Sequence, residues 1–136
     1  MFAFTNYSYT IINVMYNKKE SVEDYLEKVL MLEEKQDLVR AIDLANFMNF
    51  SKASVSVALK KLKSYGYVEV NEDSGAITLT KEGKKIAEAT YERHEIIART
   101  LMDLGVREKT AYEDACAVEH ILSDETFNIL KKRYKK

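Results

Sequence analysis

One cysteine, two histidines and four glycines are all that 136 residues contain of these types. A single thiol cannot close an internal disulfide, which fits a reducing, cytoplasmic setting. Four glycines leave little for the loops from which oxyanion devices are built. No apolar run approaches the roughly 18 residues of a spanning helix, so no membrane anchor is expected. A formal net charge of −1 supplies no global attraction to a polyanion. Any affinity for nucleic acid must come from a local patch.

What is present is an ordinary globular composition, 46% hydrophobic and 32% charged, long enough for one compact unit or two small subdomains. Residues 1–17 stand apart because they are almost uncharged and rich in aromatic and β-branched side chains. They lack the basic start and small-residue cleavage site of a secretory signal. Residues 1–20 are read as an N-terminal arm, an extra strand or a lead-in, with Met15 an alternative start.

From Ser21, a plausible N-cap, Val22, Tyr25, Leu26, Val29 and Leu30 recur at one-face helical spacing to about Lys35. Asp24 and Glu27 sit one turn apart beside that stripe. Asp24 suits a first-turn acid answering the helix dipole, Glu27 a solvated glutamate. Either could also serve as a ligand.

The segment from Leu38 to Thr80 carries the clearest architecture. A helix over Arg40 to Met48 is expected to bury Ala41, Leu44, Ala45 and Met48. After a turn at Asn49 and Phe50, Ser51 caps a second helix to about Tyr65 that buries Val55, Leu59 and Leu62. Its other face carries Lys52, Ala53, Ser56, Val57, Lys60 and Lys63. Ser51 to Val68 contains four lysines and no acid, so this face is basic although the protein is not. Gly66 ends the helix as a C′ glycine would. Tyr67–Val70 and Ala76–Thr80 alternate with period two around Asn71, Asp73, Ser74 and Gly75, a β-hairpin.

Helix, helix, basic helix and hairpin in this order predict a winged helix-turn-helix with the basic helix in the major groove of double-stranded DNA. Ser51, Lys52, Ala53, Ser56, Val57 and Lys60 are the residues expected against the groove. A winged helix can alternatively present such a face to a protein.

A further helix runs from Thr80 to about Gly105, with Lys81, Lys84 and Lys85 in its first turns, where phosphate would relieve their opposition to the helix dipole. Ile86, Tyr91, Ile97, Leu101 and Leu104 form its apolar stripe, with His94 among them. A lone histidine there suits a core or surface position as well as a ligand. The stretch Ala111–Leu122, if helical, brings Cys116, Glu119 and His120 onto one face. A thiolate, a carboxylate and an imidazole suit a first-row transition metal better than magnesium or calcium. Glu113, Asp114, Asp124 and Glu125 read as a solvated face. Ala115, Val118, Ile121 and Leu122 pull the helix into a core. Thr126–Lys136 reads as a short basic helix with a solvated end.

SVEDYLEKVLMLEE, the winged helix-turn-helix, YERHEII and ACAVEHILSDE, in this order over residues 21–130, resemble the diphtheria toxin repressor family of metal-dependent transcriptional regulators. The resemblance implies a mainly α fold with a small β-hairpin: a winged helix-turn-helix domain at 21–80 and an α-helical metal-binding and dimerisation domain at 81–136. It also implies a homodimer that binds operator DNA with Fe2+ or Mn2+ as corepressor and shuts off metal-uptake genes. Co2+, Zn2+ or Ni2+ would be substitutes in vitro. Carried over residue by residue, the metal ligands are Asp24, Glu27, His94, Cys116, Glu119 and His120.

Two branches of that family are mixed here. The manganese branch has acids at the positions of Asp24 and Glu27 and a glutamate at that of Cys116. The iron branch has the cysteine but a methionine at the position of Asp24. The iron branch's ancillary site would need an acid and a histidine where this chain has Ala98 and Tyr112, and 136 residues leave no length for its third, SH3-like domain. An ion on this ligand set would tie the DNA-binding helices to the helical domain and favour one half-site spacing in the dimer. Two rivals remain. An enzyme would use Cys116 as nucleophile and His120 as base, without an evident oxyanion device. A winged-helix regulator could instead sense oxidants or a small organic ligand through the helical domain.

Overall fold

The computed structural model describes residues 22–134. The expected arm and the Ser21 cap lie outside them. The described chain divides after Tyr91 into two compact units. Helices make up most of it, with one two-stranded antiparallel sheet.

The first unit holds helix α1 (residues 22–35), α2 (Ala41–Met48), α3 (Lys52–Ser64), strands β1 (Val68–Val70) and β2 (Ile77–Leu79), and the beginning of α4 (Lys81–Asp103). Tyr25, Leu26, Val29 and Leu30 of α1 pack with Leu44, Ala45, Val55, Leu59 and Leu62 into one core. Ala41, expected inside, is exposed; it starts α2, and burial along that helix begins only at Leu44. Asn49 closes α2 in the left-handed conformation (φ 56°).

Helix α3 begins as its sequence directs, with Ser51 Oγ accepting from the Ser54 amide at 3.1 Å. It ends in a Schellman closure: Gly66 N donates to Lys63 O and Tyr67 N to Leu62 O, with Gly66 at φ 79°. The hairpin pairs Val68 with Leu79, Glu69 with Thr78 and Val70 with Ile77. Asn71 Oδ1 accepts from Asp73 N and Ser74 N to shape the turn. Two contacts dock this wing on the segment after α1: Ile77 N donates to Val39 O at 2.7 Å, and Arg40 Nε to Ser74 O at 2.9 Å.

Thr80 caps α4, accepting from Gly83 N (3.1 Å) while its hydroxyl donates to Gly66 O (2.6 Å). Gly83 is buried against the backbone of Tyr67, where a Cβ would collide with the Tyr67 carbonyl.

The second unit contains the rest of α4, α5 (Glu108–Val118) and α6 (Asp124–Tyr134). Ile97, Ala98, Ala111 and Ala115 form its buried centre; the alanines let α4 and α5 approach closely. Two residues expected in the core are outside it, Leu104 at 77% and Ile121 at 55% exposure. Both follow the end of a helix, Asp103 for α4 and Val118 for α5, so the periodicity that placed them inside has already stopped. Ser123 caps α6 by accepting from Thr126 N, and Phe127 is buried. The basic end is not wholly solvated, because Lys131 Nζ pairs with Glu92 at 2.7 Å. No helix among the described residues is long and apolar enough to cross a membrane.

Candidate metal centre

His94 projects from α4 and Cys116 from the last turn of α5; Glu119 is the C-cap of α5 and His120 follows it in the turn. The helix therefore stops earlier than expected. Glu119 keeps helical dihedrals (φ −56°, ψ −30°), but His120 belongs to the link toward the Ser123 cap. The four side chains still converge within the second unit. His94 Nδ1 lies 3.1 Å from Glu119 Oε2 and 3.5 Å from Cys116 Sγ. His120 Nε2 lies 3.2 Å from Glu119 Oε1. One donor atom each from His94, Cys116 and Glu119 falls within 4.8 Å of the others.

Burial sharpens the meaning of this cluster. Glu119, His94 and His120 are buried and Cys116 is half-buried. Glu119 Oε1 accepts no hydrogen bond of acceptable geometry among the described residues, although His120 stands close. A buried carboxylate oxygen of this kind is costly unless a cation answers it. Burial by itself would lower the pKa of the His94 imidazole, but its hydrogen bonds to Cys116 and Glu119, and their charges, outweigh that and raise it to about 10. The donor set of sulfur, nitrogen and oxygen fits a first-row transition metal.

Asp24 and Glu27 lie on α1, in the other unit. Glu27 is fully buried, with Lys28 Nζ at 2.7 Å from its Oε1, and so is not the solvated glutamate its sequence context suggests. Asp24 is half-buried. Glu113, Asp114, Asp124 and Glu125 are exposed, as a solvated face requires. On α3, Ser51, Lys52, Ala53, Ser56, Val57 and Lys60 are all exposed, opposite the buried Val55, Leu59 and Leu62.

Arg93 was not singled out by sequence reasoning. Its guanidinium donates to the carbonyls of Glu119 (3.2 Å) and Leu122 (2.9 Å), pairs with Asp124, and lies over the Phe127 ring. The only hint in the sequence was its position next to His94.

Residues 19–76 match the family description "Iron dependent repressor, N-terminal DNA binding domain", and residues 80–136 match "Iron dependent repressor, metal binding and dimerisation domain". An HTH-type transcriptional regulator of Methanocaldococcus jannaschii is 40% identical over 82% of this chain and 90% of its own length. The chain belongs to the iron-dependent repressor family. The two family models pair an N-terminal DNA-binding domain with a metal-binding and dimerisation domain, and in this chain these regions are the winged helix-turn-helix and the helices that follow it.

Other members of the iron-dependent repressor family are also similar. The transcriptional regulator MntR of Escherichia coli is 33% identical over 85% of this chain and 74% of that protein. Among solved structures, a manganese-dependent transcriptional repressor in complex with manganese superposes with a TM-score of 0.73 at 30% identity, covering 82% of this chain and 51% of that one. The manganese regulator SloR gives 0.73 at 30% identity, covering 84% and 53%. The chain thus spans about half the length of these solved relatives.

Proposed function

We propose that this protein is a cytoplasmic, homodimeric repressor that binds a near-palindromic operator when charged with Fe2+ or Mn2+ and thereby controls metal-uptake genes. The observation that carries the reading is the cluster of buried His94 and Glu119 with half-buried Cys116, in the same chain as an acid-free basic helix. His94, Cys116, Glu119 and His120 would hold the ion, and the family resemblance adds Asp24 and Glu27 of α1 to the ligand set. When bound, the ion supplies positive charge that answers the buried carboxylates and fixes the geometry of its ligands. The protein's part is to prefer one arrangement of its domains once those ligands are engaged, a preference expressed as tighter operator binding.

Ser51, Lys52, Ala53, Ser56, Val57 and Lys60 face the major groove, where small side chains admit close approach and the lysines meet phosphate. Leu104, Ile121 and Ile129, exposed in the single chain, suit the apolar contact of a homodimer. The relatives are regulators of transcription, and no catalytic role is assigned to Cys116 or His120.

The decisive experiment is a titration of operator binding at controlled free metal, comparing Mn2+, anaerobic Fe2+, Co2+ and Zn2+ in the wild type and in Asp24→Ala. The wild type should gain affinity with metal and the variant should lose most of that gain. Operator binding that ignores metal would overturn the reading and favour a sensor of oxidants or an organic ligand.

A further inference from the structure

Helix α5 ends with its last carbonyls unanswered by its own side chains, since its last turn holds no basic residue. Those carbonyls carry the negative end of the helix dipole. The cation at this end comes from α4 and reaches the C-cap carbonyl of Glu119 and, in the link to α6, that of Leu122. Arg93 Nη1 donates to Glu119 O and to Leu122 O, bracketing His120, while Nη2 pairs with Asp124 at the start of α6. The guanidinium carbon Cζ lies 4.9 Å from the Phe127 ring centroid. The Arg93 side chain is only 15% exposed, so its two carbonyl contacts form an interior clamp, whereas its pair with the 90% exposed Asp124 lies at the surface.

Its neighbour in sequence, His94, contacts the Glu119 carboxylate. Two consecutive residues of α4 therefore hold one short turn at two levels: His94 by a side chain and Arg93 by the backbone. The planar fork of arginine suits such multipoint contact, which a lysine ammonium on its flexible stem cannot reproduce.

We infer that Arg93 is a positioning residue for the metal centre, setting the backbone from which Glu119 and His120 reach the ion without itself touching it. This rests on the metal-sensor reading above. Groups that orient metal ligands from behind typically change affinity by about 10- to 100-fold when removed.

The test is a titration of the full-length dimer with Co2+ alone, followed by its visible ligand-field absorption, for wild type, Arg93→Gln, Arg93→Lys and Asp124→Asn. Arg93→Gln should bind Co2+ at least about tenfold more weakly, with an altered band shape. Arg93→Lys should fall between it and the wild type. Asp124→Asn, which keeps both carbonyl contacts, should bind within about twofold of wild type, since an exposed ion pair contributes little. Wild-type affinity and band shape in Arg93→Gln would overturn the inference. If Arg93→Gln does not fold by circular dichroism, the same result in Arg93→Lys overturns it. A wild type that takes up no Co2+ would instead refute the metal reading itself.

Discussion

The carbonyl of Tyr67 fills the space in which a Cβ on Gly83 would stand. This close approach seats the first turn of α4 against the strand end that the Gly66 closure delivers, and Thr80 N donates to the same Tyr67 carbonyl at 3.0 Å. Alanine is the better helix former by about 1 kcal/mol. The collision is with backbone, which cannot swing aside. The overlap should cost about 1–3 kcal/mol or more, so Gly83→Ala should destabilise by up to about 2 kcal/mol after the helix gain of about 1 kcal/mol, read as a lower urea midpoint with an unchanged slope. Equal or higher stability would show that α4 can shift at no cost.

A second expectation concerns protons at His94. Its pKa in the folded, metal-free protein is raised from 6.5 to about 10. A group raised on folding contributes stability that is complete below its unfolded pKa and is lost as pH rises through the folded one. The metal-free wild type should thus lose stability relative to His94→Gln between pH 6.5 and about 10. In the same window metal must displace a proton from the imidazole, so affinity should rise with pH, on the order of tenfold per unit for one proton released. Isothermal titrations at several pH values in buffers of different ionisation enthalpy would count the protons. No release on binding would remove His94 from the ligand set.

Much of this architecture is written in local pattern. Val55, Leu59 and Leu62 announce their helix face, Ser51 its start and Gly66 its end, and each does in three dimensions what its spacing and chemistry dictate. Periodicity fails where helices stop. Leu104 and Ile121 continue an apolar stripe on paper but lie beyond Asp103 and Val118, and so face solvent. His120 likewise leaves the helix and still reaches the cluster, because the chain turns toward the Ser123 cap. Arg93 was invisible for another reason. The two contacts that hold the turn are to backbone carbonyls 26 and 29 residues away, and a carbonyl has no letter in the sequence.

The basic face of α3 makes a quantitative prediction about DNA. Lys52 and Lys60 are exposed on a helix whose sequence holds no acid. If each meets a phosphate, Lys52→Ala and Lys60→Ala should each weaken operator binding and reduce the slope of log affinity against log salt by about one. Fluorescence anisotropy across a salt series reads both. An unchanged slope in both variants would mean that α3 does not lie against the backbone in this way.

The last prediction concerns the thiol. Cys116 is a soft donor 3.5 Å from the Nδ1 of His94, in a cluster otherwise made of hard carboxylate and borderline imidazole. Sulfur should raise affinity for Fe2+, Co2+ and Zn2+ relative to Mn2+ beyond the order these ions already follow with nitrogen and oxygen ligands. Cys116→Glu replaces that donor with oxygen at a half-buried position. The variant should keep metal-dependent operator binding but show a narrower preference for Fe2+ or Co2+ over Mn2+. An intense near-ultraviolet thiolate-to-cobalt charge-transfer band should appear in the wild type and vanish in Cys116→Glu. If the band is absent from the wild type and selectivity does not change, the sulfur is not a ligand, and Cys116 is a small half-buried residue beside a centre built from His94, Glu119 and His120.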